Sequence, residues 1–487
     1  MNVNLFKSAV VCVAIAVMCG CGQGQPTPPT PVPPTPREII REVNVKGKIT
    51  DAQTERLAGA GEKGFDLSGL TTITDTQAEI LSEVKELELN GLTSISDEQA
   101  ESLSKVEVLC LNGLNSISDE QAESLSKVKI CLMLSGVTSI TDEQAKSLSR
   151  VWLRLQLNGL TFITDAQAES LSKVKQWLEL NGLTSISDVQ AESLCKVKSL
   201  ELNALTSISD AQAESLCKAE KISLNGLTSI SDTLAESLCK AKQLELNGLT
   251  SISDEQVESL SKVGLSLSLS GLTSITDEQA KSLSKDFHLY LDGLTSITDV
   301  QAQSLSQLNS LRLSSLTSIT DAQVKSLSKV HSLVLNGLTF ITDAQAESLS
   351  KVGWLELNGL TSISDKQAES LGAESLSKIE QLFLNGLTSI SDEQAEILSK
   401  VGWLELNALT LITDEQAESL SKVDYLLALN GLTSITDEQA ESLSNVFQLR
   451  LNGLKDITHA QAESLSKMTH LEVDEDLQPL IDKFKNE

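Results

Sequence analysis

One unit of about 22 residues, repeated along nearly the whole chain, limits the folds that this sequence can adopt. The stretch Leu89–Lys105, LNGLTSISDEQAESLSK, returns from Leu111 as LNGLNSISDEQAESLSK. Burying the five or six aliphatic side chains of one unit contributes about 10–15 kcal/mol, whereas ordering its residues costs on the order of 30 kcal/mol. A single unit therefore cannot fold alone, and neighbouring units must stack on one another.

A Ser or Thr followed by an anchor residue marks 19 such units in the 487-residue chain. Of the 18 intervals between anchors, eleven are 22 residues, five are 23 and one is 24. The remaining interval is 27 residues and contains an apparent duplication, AESLGAESLSK, which predicts a lengthened or bulged helix. The anchors are Asp51, Asp75, Asp97, Asp119, Asp142, Asp165, Asp188, Asp210, Asp232, Asp254, Asp277, Asp299, Asp321, Asp343, Asp365, Asp392, Asp414, Asp437 and His459.

Each unit carries the signature of a helix N-terminus. The Ser or Thr before the anchor is followed three residues later by Gln, as in Ser96 and Gln99, and Leu234 is the exception. In such a capping box the hydroxyl accepts from the backbone N–H three residues on, and the Gln side chain accepts from the N–H of the capping residue. Ala100 and Leu103 then form an inward apolar stripe. The pattern predicts one short helix per unit, starting at the anchor.

Alternate apolar residues between the helices predict a brief strand in each unit. Val106–Leu111 reads Val-x-x-Leu-x-Leu, and its period of two places the leucines on the inner face. Leu114 and Ile117 follow as inward residues of the next turn. Seven of the eight prolines lie between Pro26 and Pro36, so the repeats are nearly free of the residue that most often interrupts regular structure.

The pattern Leu-x-x-Leu-x-Leu-x-x-Leu-x-x-Ile, over about residues 43–473, resembles the leucine-rich-repeat superfamily. The resemblance implies an α/β solenoid with parallel strands on the concave face and short helices on the convex face. Leu92 stands where that family usually has a buried Asn, and Asn90 stands two residues earlier, which is closer to the variant of bacterial cell-surface repeat proteins. A ladder of these displaced asparagines along the strand ends is one expectation. Its interruptions would fall at Ser135, Ser270, Asp292 and Ser314.

A Gly follows the displaced Asn in most units. Ala204, Ser315 and Ala408 occupy the same place, so the sequence predicts no requirement for a positive φ there. The absence of a side chain instead eases the turn.

The N-terminus reads as an export signal. Lys7 is followed by an apolar run over residues 8–18, which is too short to span a bilayer as a helix. Residues 18–21, Met-Cys-Gly-Cys, resemble a bacterial lipobox, and that resemblance makes Cys21 the lipidated first residue of the mature chain. An ordinary signal peptide cut nearby, with incidental cysteines, is the alternative. The expected location is the bacterial cell envelope, lipid-anchored and facing outside the cytoplasm, with the outer membrane as the anchoring membrane if the bacterium is Gram-negative.

The Pro-rich stretch after Cys21 predicts an extended spacer that could reach about 50 Å from a membrane. The predicted organisation is therefore a signal peptide at 1–20, a linker at 21–37, an N-terminal capping region at 38–75, a repeat solenoid at 76–470 and a C-terminal cap at 471–487.

Charge and motifs argue against nucleic acid and against catalysis. The formal net charge is −29 with a pI near 4.5, whereas nucleic-acid binding needs clustered Lys and Arg. The four histidines have no metal-ligand spacing, and no phosphate loop or nucleophile elbow occurs. The acidic pairs recur in most units, so none has the single special environment that a catalytic pair needs. We expect no enzyme, no cofactor and no metal, with divalent cations on the helix face as a weaker alternative.

Five cysteines lie in the repeats. Cys195, Cys217 and Cys239 follow one another at 22-residue spacing on stacked helices, which lie about 8–10 Å apart and so beyond the roughly 7 Å limit for a disulfide. Cys110 and Cys131, on adjacent strands, are the likelier pair by distance. Five free thiols are an equally weighted alternative.

The outward strand positions vary most between units, so any binding specificity is expected there. Trp354, Phe383 and Trp403 come from three successive strands, and the spacing predicts two indoles about 10 Å apart. Exposed aromatics beside carboxylates suit a sugar, a peptide or a cationic group, although they could also only cover aliphatic surface. The full set of candidate ligand-binding residues is Trp354, Phe383, Trp403, Glu356 and Glu405, with two weaker clusters, Trp152 with Trp177, and His288 with Tyr290 and Arg312.

Two functions of different class fit these observations. The first is a lipid-anchored binding module for a protein, peptide or glycan on the concave face. The alternative is a structural spacer, or a self-associating envelope protein, whose uniformity is its purpose. The variable strand positions favour the first, and the near-identical helix faces fit the second.

Overall fold

The computed structural model describes residues 34–60, 63–285, 288–372, 379–474 and 477–485. The chain separates into two units, Met1–Thr35 and Pro36–Glu487, and the second contains the repeats. The predicted signal peptide, Cys21 and most of the linker lie outside the described residues. Most of the duplication in the 27-residue interval does so as well, and the helix that leads into it ends at Gly372.

Each repeat contributes one short helix. Most begin at the predicted anchor and run seven residues, as in Asp97–Leu103. The helices are α1 Pro36–Lys46, α2 Asp51–Ala58, α3 Asp75–Leu81, α4 Asp97–Leu103, α5 Asp119–Leu125, α6 Asp142–Leu148, α7 Asp165–Leu171, α8 Asp188–Leu194, α9 Asp210–Leu216, α10 Asp232–Leu238, α11 Asp254–Leu260, α12 Asp277–Ser282, α13 Asp299–Leu305, α14 Asp321–Leu327, α15 Asp343–Leu349, α16 Asp365–Gly372, α17 Asp392–Leu398, α18 Asp414–Leu420, α19 Asp437–Leu443, α20 His459–Ser466 and α21 Gln478–Lys485.

The strands form one parallel sheet of 19 strands, in which each strand pairs with the next along the chain. They are β1 Gly64–Asp66, β2 Glu86–Glu88, β3 Val108–Cys110, β4 Cys131–Met133, β5 Arg154–Gln156, β6 Trp177–Glu179, β7 Ser199–Glu201, β8 Lys221–Ser223, β9 Gln243–Glu245, β10 Ser266–Ser268, β11 His288–Tyr290, β12 Ser310–Arg312, β13 Ser332–Val334, β14 Trp354–Glu356, β15 Gln381–Phe383, β16 Trp403–Glu405, β17 Leu426–Ala428, β18 Gln448–Leu451 and β19 His470–Val473.

The core lies between this sheet and the row of helices. The central residue of each strand points inward and is aligned across the sheet, as Leu87 is with Leu109. Leu109, Ala100 and Leu103 are fully buried, and one continuous cluster of buried apolar side chains runs through all repeats. The structure confirms the predicted leucine-rich-repeat solenoid, with strands on one face and helices on the other.

The capping boxes form as predicted, and they also join neighbouring repeats. Ser96 Oγ accepts from Gln99 N at 3.0 Å, and Gln99 Oε1 accepts from Ser96 N at 2.9 Å. The Gln99 amide then donates to Ile73 O of the preceding repeat at 2.9 Å, and Ser96 Oγ donates to Asp75 at 2.9 Å. The reciprocal box is present in the described repeats except at Leu234, which has no amide to offer.

The displaced asparagines form a ladder along the ends of the strands. Asn90 Oδ1 accepts from Asn112 N of the next repeat at 3.1 Å, and the same bond recurs along the sheet. Ser135 and Ser314 interrupt the ladder as expected, and their buried hydroxyls have no partner among the described residues. The expected interruptions at Ser270 and Asp292 are wrong. Ser270 Oγ accepts from Asp292 N at 3.4 Å, and the Asp292 carboxylate accepts from Ser314 N at 3.1 Å.

The glycines after these asparagines lie against the backbone of the preceding repeat. A Cβ at Gly182 would lie 2.2 Å from Asn158 O, which is far inside van der Waals contact. Among the described glycines, positive φ occurs at Gly47 and not at this position. The residue is therefore small because of close approach between repeats rather than because of backbone conformation.

Helices α1 and α21 cover the two ends of the stack, and an ion pair joins these ends. Ile39 and Val43 of α1, and Ile481 of α21, are fully buried against the terminal repeats. Arg37 of α1 pairs with Asp474, which directly follows β19. In the part of the chain that the structure describes, no helix has both the length and the apolar character needed to cross a membrane.

Candidate functional site

The first and third residues of each strand point away from the core and define the outer surface of the sheet, called here the strand face. The predicted cluster of Trp354, Phe383 and Trp403 lies there as one stack. The ring centroids of Trp354 and Phe383 are 5.4 Å apart, and those of Phe383 and Trp403 are 6.1 Å apart. Phe383 therefore fills the space between the two indoles.

The stack continues beyond the predicted residues to the last strand. Trp403 contacts Tyr425 at 6.3 Å, Tyr425 contacts Phe447 at 5.5 Å, and Phe447 contacts His470 at 4.9 Å, all between ring centroids. We call this row the aromatic ladder; its members are Trp354, Phe383, Trp403, Tyr425, Phe447 and His470. Phe383 is buried, whereas Tyr425 and Phe447 are 51% and 53% exposed.

Carboxylates on the same strands fix the indoles of the aromatic ladder. Trp354 Nε1 donates to Glu356 at 3.1 Å, and Trp403 Nε1 donates to Glu405 at 3.2 Å. Amides of the asparagine ladder hold the other carboxylate oxygen of each, through Asn336 at 3.3 Å and Asn407 at 3.2 Å. The predicted pairing of aromatic and acidic residues is thus a hydrogen-bonded arrangement that holds each indole in one orientation.

A positively charged side chain of the protein itself covers part of this surface. The guanidinium of Arg450 lies 5.7 Å from the ring centroid of Trp403 and forms ion pairs with Glu472 at 2.9 Å and Glu405 at 3.6 Å. Within the chain itself, this surface therefore holds a cation over an aromatic face and between two carboxylates.

Trp177 lies in a second cluster, without its predicted companion. Arg154 and Lys221 lie 4.6 and 5.4 Å from the Trp177 ring centroid, and the indole donates to Glu201 at 3.1 Å. Arg154, Trp177 and Lys221 border a groove of about 550 Å³ across β3 to β9. Trp152 is 56% exposed, and no ring contact joins it to Trp177 among the described residues.

The third predicted cluster forms in part. The Arg312 guanidinium lies 5.5 Å from the Tyr290 ring centroid, because these residues are register partners on β11 and β12. Arg312 also pairs with Asp292 at 3.3 Å, beside a polar groove of about 500 Å³. His288 lies on the same strand as Tyr290 but does not border that groove.

All five cysteines of the repeats are free thiols. The expected Cys110–Cys131 pair does not form, because Cys110 lies opposite Met133 in the register and Cys131 lies opposite Val108. Burial raises the pKa of Cys110 to about 12 and that of Cys131 to about 11. Burial also raises the pKa of Cys217 to about 12. These thiols stay protonated at neutral pH and are poor nucleophiles.

Sequence reasoning missed Tyr425, Phe447 and His470 as parts of the aromatic ladder. Tyr425 and Phe447 stand one residue before the start of β17 and β18, outside the alternating strand positions. An aromatic or His near the start of a strand in consecutive units is the signal that could have found them. Within the described ranges, no group of three or more His, Cys, Asp or Glu side chains is arranged to hold a metal ion.

The repeated strand–helix units define the chain as a solenoid with parallel strands on one face and short helices on the other. No family model and no curated protein matches the sequence. Among solved structures the chain is similar to an internalin (inlF) from Listeria monocytogenes strain 4b F2365. That similarity has 18% sequence identity, covers 77% of this chain and 93% of that chain, and has a TM-score of 0.30.

Proposed function

We propose that this chain is a non-enzymatic binding scaffold whose strand face engages a protein, peptide or glycan partner. The observation that carries the proposal is the aromatic ladder, in which six rings contact one another across consecutive strands. Half-exposed Tyr425 and Phe447 leave apolar area in water, and contiguous apolar area of this kind is typical of interaction sites. Aromatic residues are also enriched among those that dominate binding energy.

The division of labour between the two faces supports this proposal. The helix face repeats nearly the same residues, and its Ser, Asp and Gln side chains are used in bonds between repeats. The strand face carries Trp, Tyr, Arg, Glu and Ser at equivalent places in different repeats. A scaffold that is constant on one face and variable on the other can change its ligand without changing its stability.

The test is the double variant Trp354→Ala with Trp403→Ala, examined by protein pulldown and on a glycan array. We expect loss of at least one partner that the wild-type chain retains. The matched control is Phe162→Ala with Phe340→Ala, which removes two rings that are 65% and 67% exposed in turns ahead of helices. Retention of every partner by the tryptophan variant would falsify the proposal.

The proposal includes a lipid anchor at Cys21, supported by the lipobox-like Met-Cys-Gly-Cys sequence and by the Pro-rich stretch that follows it. This arrangement would hold the scaffold outside the cytoplasm on the bacterial cell envelope. Cys21→Ala is expected to move the protein from the membrane fraction to the soluble fraction after cell lysis. If the variant stays with the membranes, the anchor lies elsewhere.

A structural spacer is the second candidate, and the uniform bonding between repeats favours it. In that case both double variants keep all their interactions, and the full chain instead associates with itself. Sedimentation velocity over a range of concentrations distinguishes the two functions, because the binding scaffold does not require self-association.

A further inference from the structure

The two ends of the repeat stack meet. Arg37 belongs to the helix that covers the first repeat, and Asp474 directly follows the strand of the last. Their ion pair bridges 437 positions of sequence, although strands and helices otherwise pack on their neighbours along the chain. Since α1 and β19 lie at opposite ends of one continuous stack, contact between them requires that the stack curve back on itself. The strand face then lines the inside of a closed ring.

The number of strands sets the width of this opening. Nineteen parallel strands at about 4.8 Å each give a circumference of about 90 Å and a width of about 30 Å between opposite backbones. Side chains of the strand face that point toward the centre of the ring, including Trp403 and Arg450, narrow this opening further. A folded domain of about 100 residues has a radius of gyration near 13 Å and a diameter above about 30 Å, so it does not fit. An extended chain does.

Charge on the inner wall of the ring indicates which kind of extended polypeptide could bind there. The first and third strand positions carry nine carboxylates and four cations. Each cation is held in an ion pair, in Arg154–Glu179, Lys221–Glu245, Arg312–Asp292 and Arg450–Glu472. Five wall carboxylates have no cationic partner among the described residues, namely Asp66, Glu86, Glu88, Glu201 and Glu356. The first and third strand positions therefore carry unneutralised negative charge, including the three carboxylates of β1 and β2, which outnumber the two cations Lys63 and Lys85 that stand one residue before these strands.

Closure of the ring brings the carboxylates of β1 and β2 next to the end of the aromatic ladder. Asp66, Glu86 and Glu88 are exposed on β1 and β2, at the start of the stack. The aromatic ladder ends at His470 on β19, at the other end. In an open arc these regions would be at maximal separation, but the pair between Arg37 and Asp474 makes them neighbours across the closure. Carboxylates beside exposed aromatic faces recognise Lys and Arg side chains.

We infer that the ligand of the strand face is an extended, basic polypeptide segment that enters the closed ring and binds where the aromatic ladder meets the carboxylates of β1 and β2. The inference rests on the proposed function and names its partner class. Arg450 displays the same chemistry within the chain, since it lies over Trp403 between Glu405 and Glu472.

Fluorescence anisotropy with labelled decalysine tests the charge part on the full chain. We expect binding that weakens at least about tenfold when salt rises from about 50 to about 500 mM. The variant Asp66→Asn with Glu86→Gln and Glu88→Gln should weaken binding by a similar factor. The matched control Glu98→Gln with Glu120→Gln and Glu415→Gln removes equal charge from exposed helix positions and should bind like wild type. No binding of decalysine, or equal losses in the two variants, would overturn the inference.

The ring is tested with decalysine that carries a folded domain at both ends. This probe should associate at least about tenfold more slowly than free decalysine, because a folded domain cannot pass the opening. Arg37→Glu should remove the difference in association rate between the two probes, because it breaks the ion pair with Asp474. The double variant Arg37→Asp with Asp474→Arg exchanges the two charges and should restore that difference. Equal rates on the wild-type chain, or an open arc by small-angle X-ray scattering, refute closure without reliance on any variant.

A neutral glycan probe, hexa-N-acetylglucosamine, separates this inference from the proposed function. If the glycan binds in a manner that requires Trp354 and Trp403 and decalysine does not bind, the binding scaffold stands and the basic peptide is wrong. If the tryptophan variant loses no partner of any kind, the proposed function itself fails.

Discussion

The side-chain amide of Gln99 donates to the carbonyl of Ile73 at 2.9 Å, and the two residues belong to different repeats. The same Gln99 accepts from the N–H of Ser96 and closes the capping box of its own helix. One side chain thus completes a helix and joins that helix to its neighbour. This double use explains why the Gln is almost invariant along the chain while the exposed residue before it changes between Glu, Ala, Val, Thr and Lys.

Replacing such a Gln should destabilise the fold. Gln301 is 6% exposed, accepts from Thr298 N at 2.9 Å and donates to Ile275 O at 2.8 Å. Gln301→Leu leaves a partly buried N–H and a buried carbonyl without their partner, and we expect a loss of about 1–3 kcal/mol in the free energy of unfolding. Gln303→Leu, two residues away on the exposed side of the same helix, should change it little. Chemical denaturation measures both, and equal effects would contradict the role assigned to Gln301.

A methyl group should be costly where the repeats approach most closely. Gly182→Ala places a Cβ 2.2 Å from the Asn158 carbonyl, whereas at Gly264 the nearest atom is 3.5 Å away. We expect a loss of about 1–3 kcal/mol for Gly182→Ala and a small effect for Gly264→Ala. Thermal unfolding of the two variants checks the difference. Ala204 and Ala408 show that the position can accept a methyl group in two repeats, so the variant should fold but melt earlier.

Alkaline pH should weaken the fold through the buried thiols. Burial raises the pKa of Cys217 from 9.0 to about 12, so the folded chain keeps this proton in a range where the unfolded chain loses it. The free energy of unfolding is unaffected by this thiol below pH 9 and falls by about 1.4 kcal/mol per pH unit above it, until pH approaches 12. Denaturation of wild type and Cys217→Ala between pH 8 and pH 10.5 measures the contribution. Parallel pH profiles for the two proteins would show that the thiol does not contribute.

Removal of Arg450 should improve binding of a basic ligand. Arg450→Gln vacates the face of Trp403 and leaves Glu405 and Glu472 without their cation. We expect decalysine to bind several-fold more tightly, because the ligand no longer competes with a cation of the protein itself. Arg150→Gln removes a charge of the same sign from the helix side, where Arg150 pairs with Glu123, and serves as the control. Weaker binding by Arg450→Gln would place the ligand away from Trp403.

Much of the fold could be predicted because each repeat states its own local structure. Ser96 with Gln99 predicts a helix start, the alternating leucines before Leu111 predict a strand, and the structure has both. The bond from Gln99 to Ile73 could not be predicted, because it depends on how one repeat is rotated against the next. The same holds for the contact of Arg37 with Asp474, which arises from small rotations summed over the whole stack.

The site shows the same limit. Trp354, Phe383 and Trp403 were found because they stand at alternating strand positions that are compared easily between repeats. Tyr425 and Phe447 precede their strands by one residue, and their rings turn into the row because the neighbouring aromatic side chains offer a surface to pack on. Packing between repeats, rather than the local pattern, decides where such side chains point.

The missing amide at Leu234 has a consequence for how the chain comes apart. A linear stack frays from its ends, where the terminal repeat has one neighbour instead of two. Here the cap helices and the pair between Arg37 and Asp474 protect both termini. Thermal opening should therefore begin inside the stack, at the joint where Ser231 lacks its reciprocal bond. A protease added to the native chain would make its first cut near this interior joint, and unfolding would then spread from the middle of the stack toward both ends.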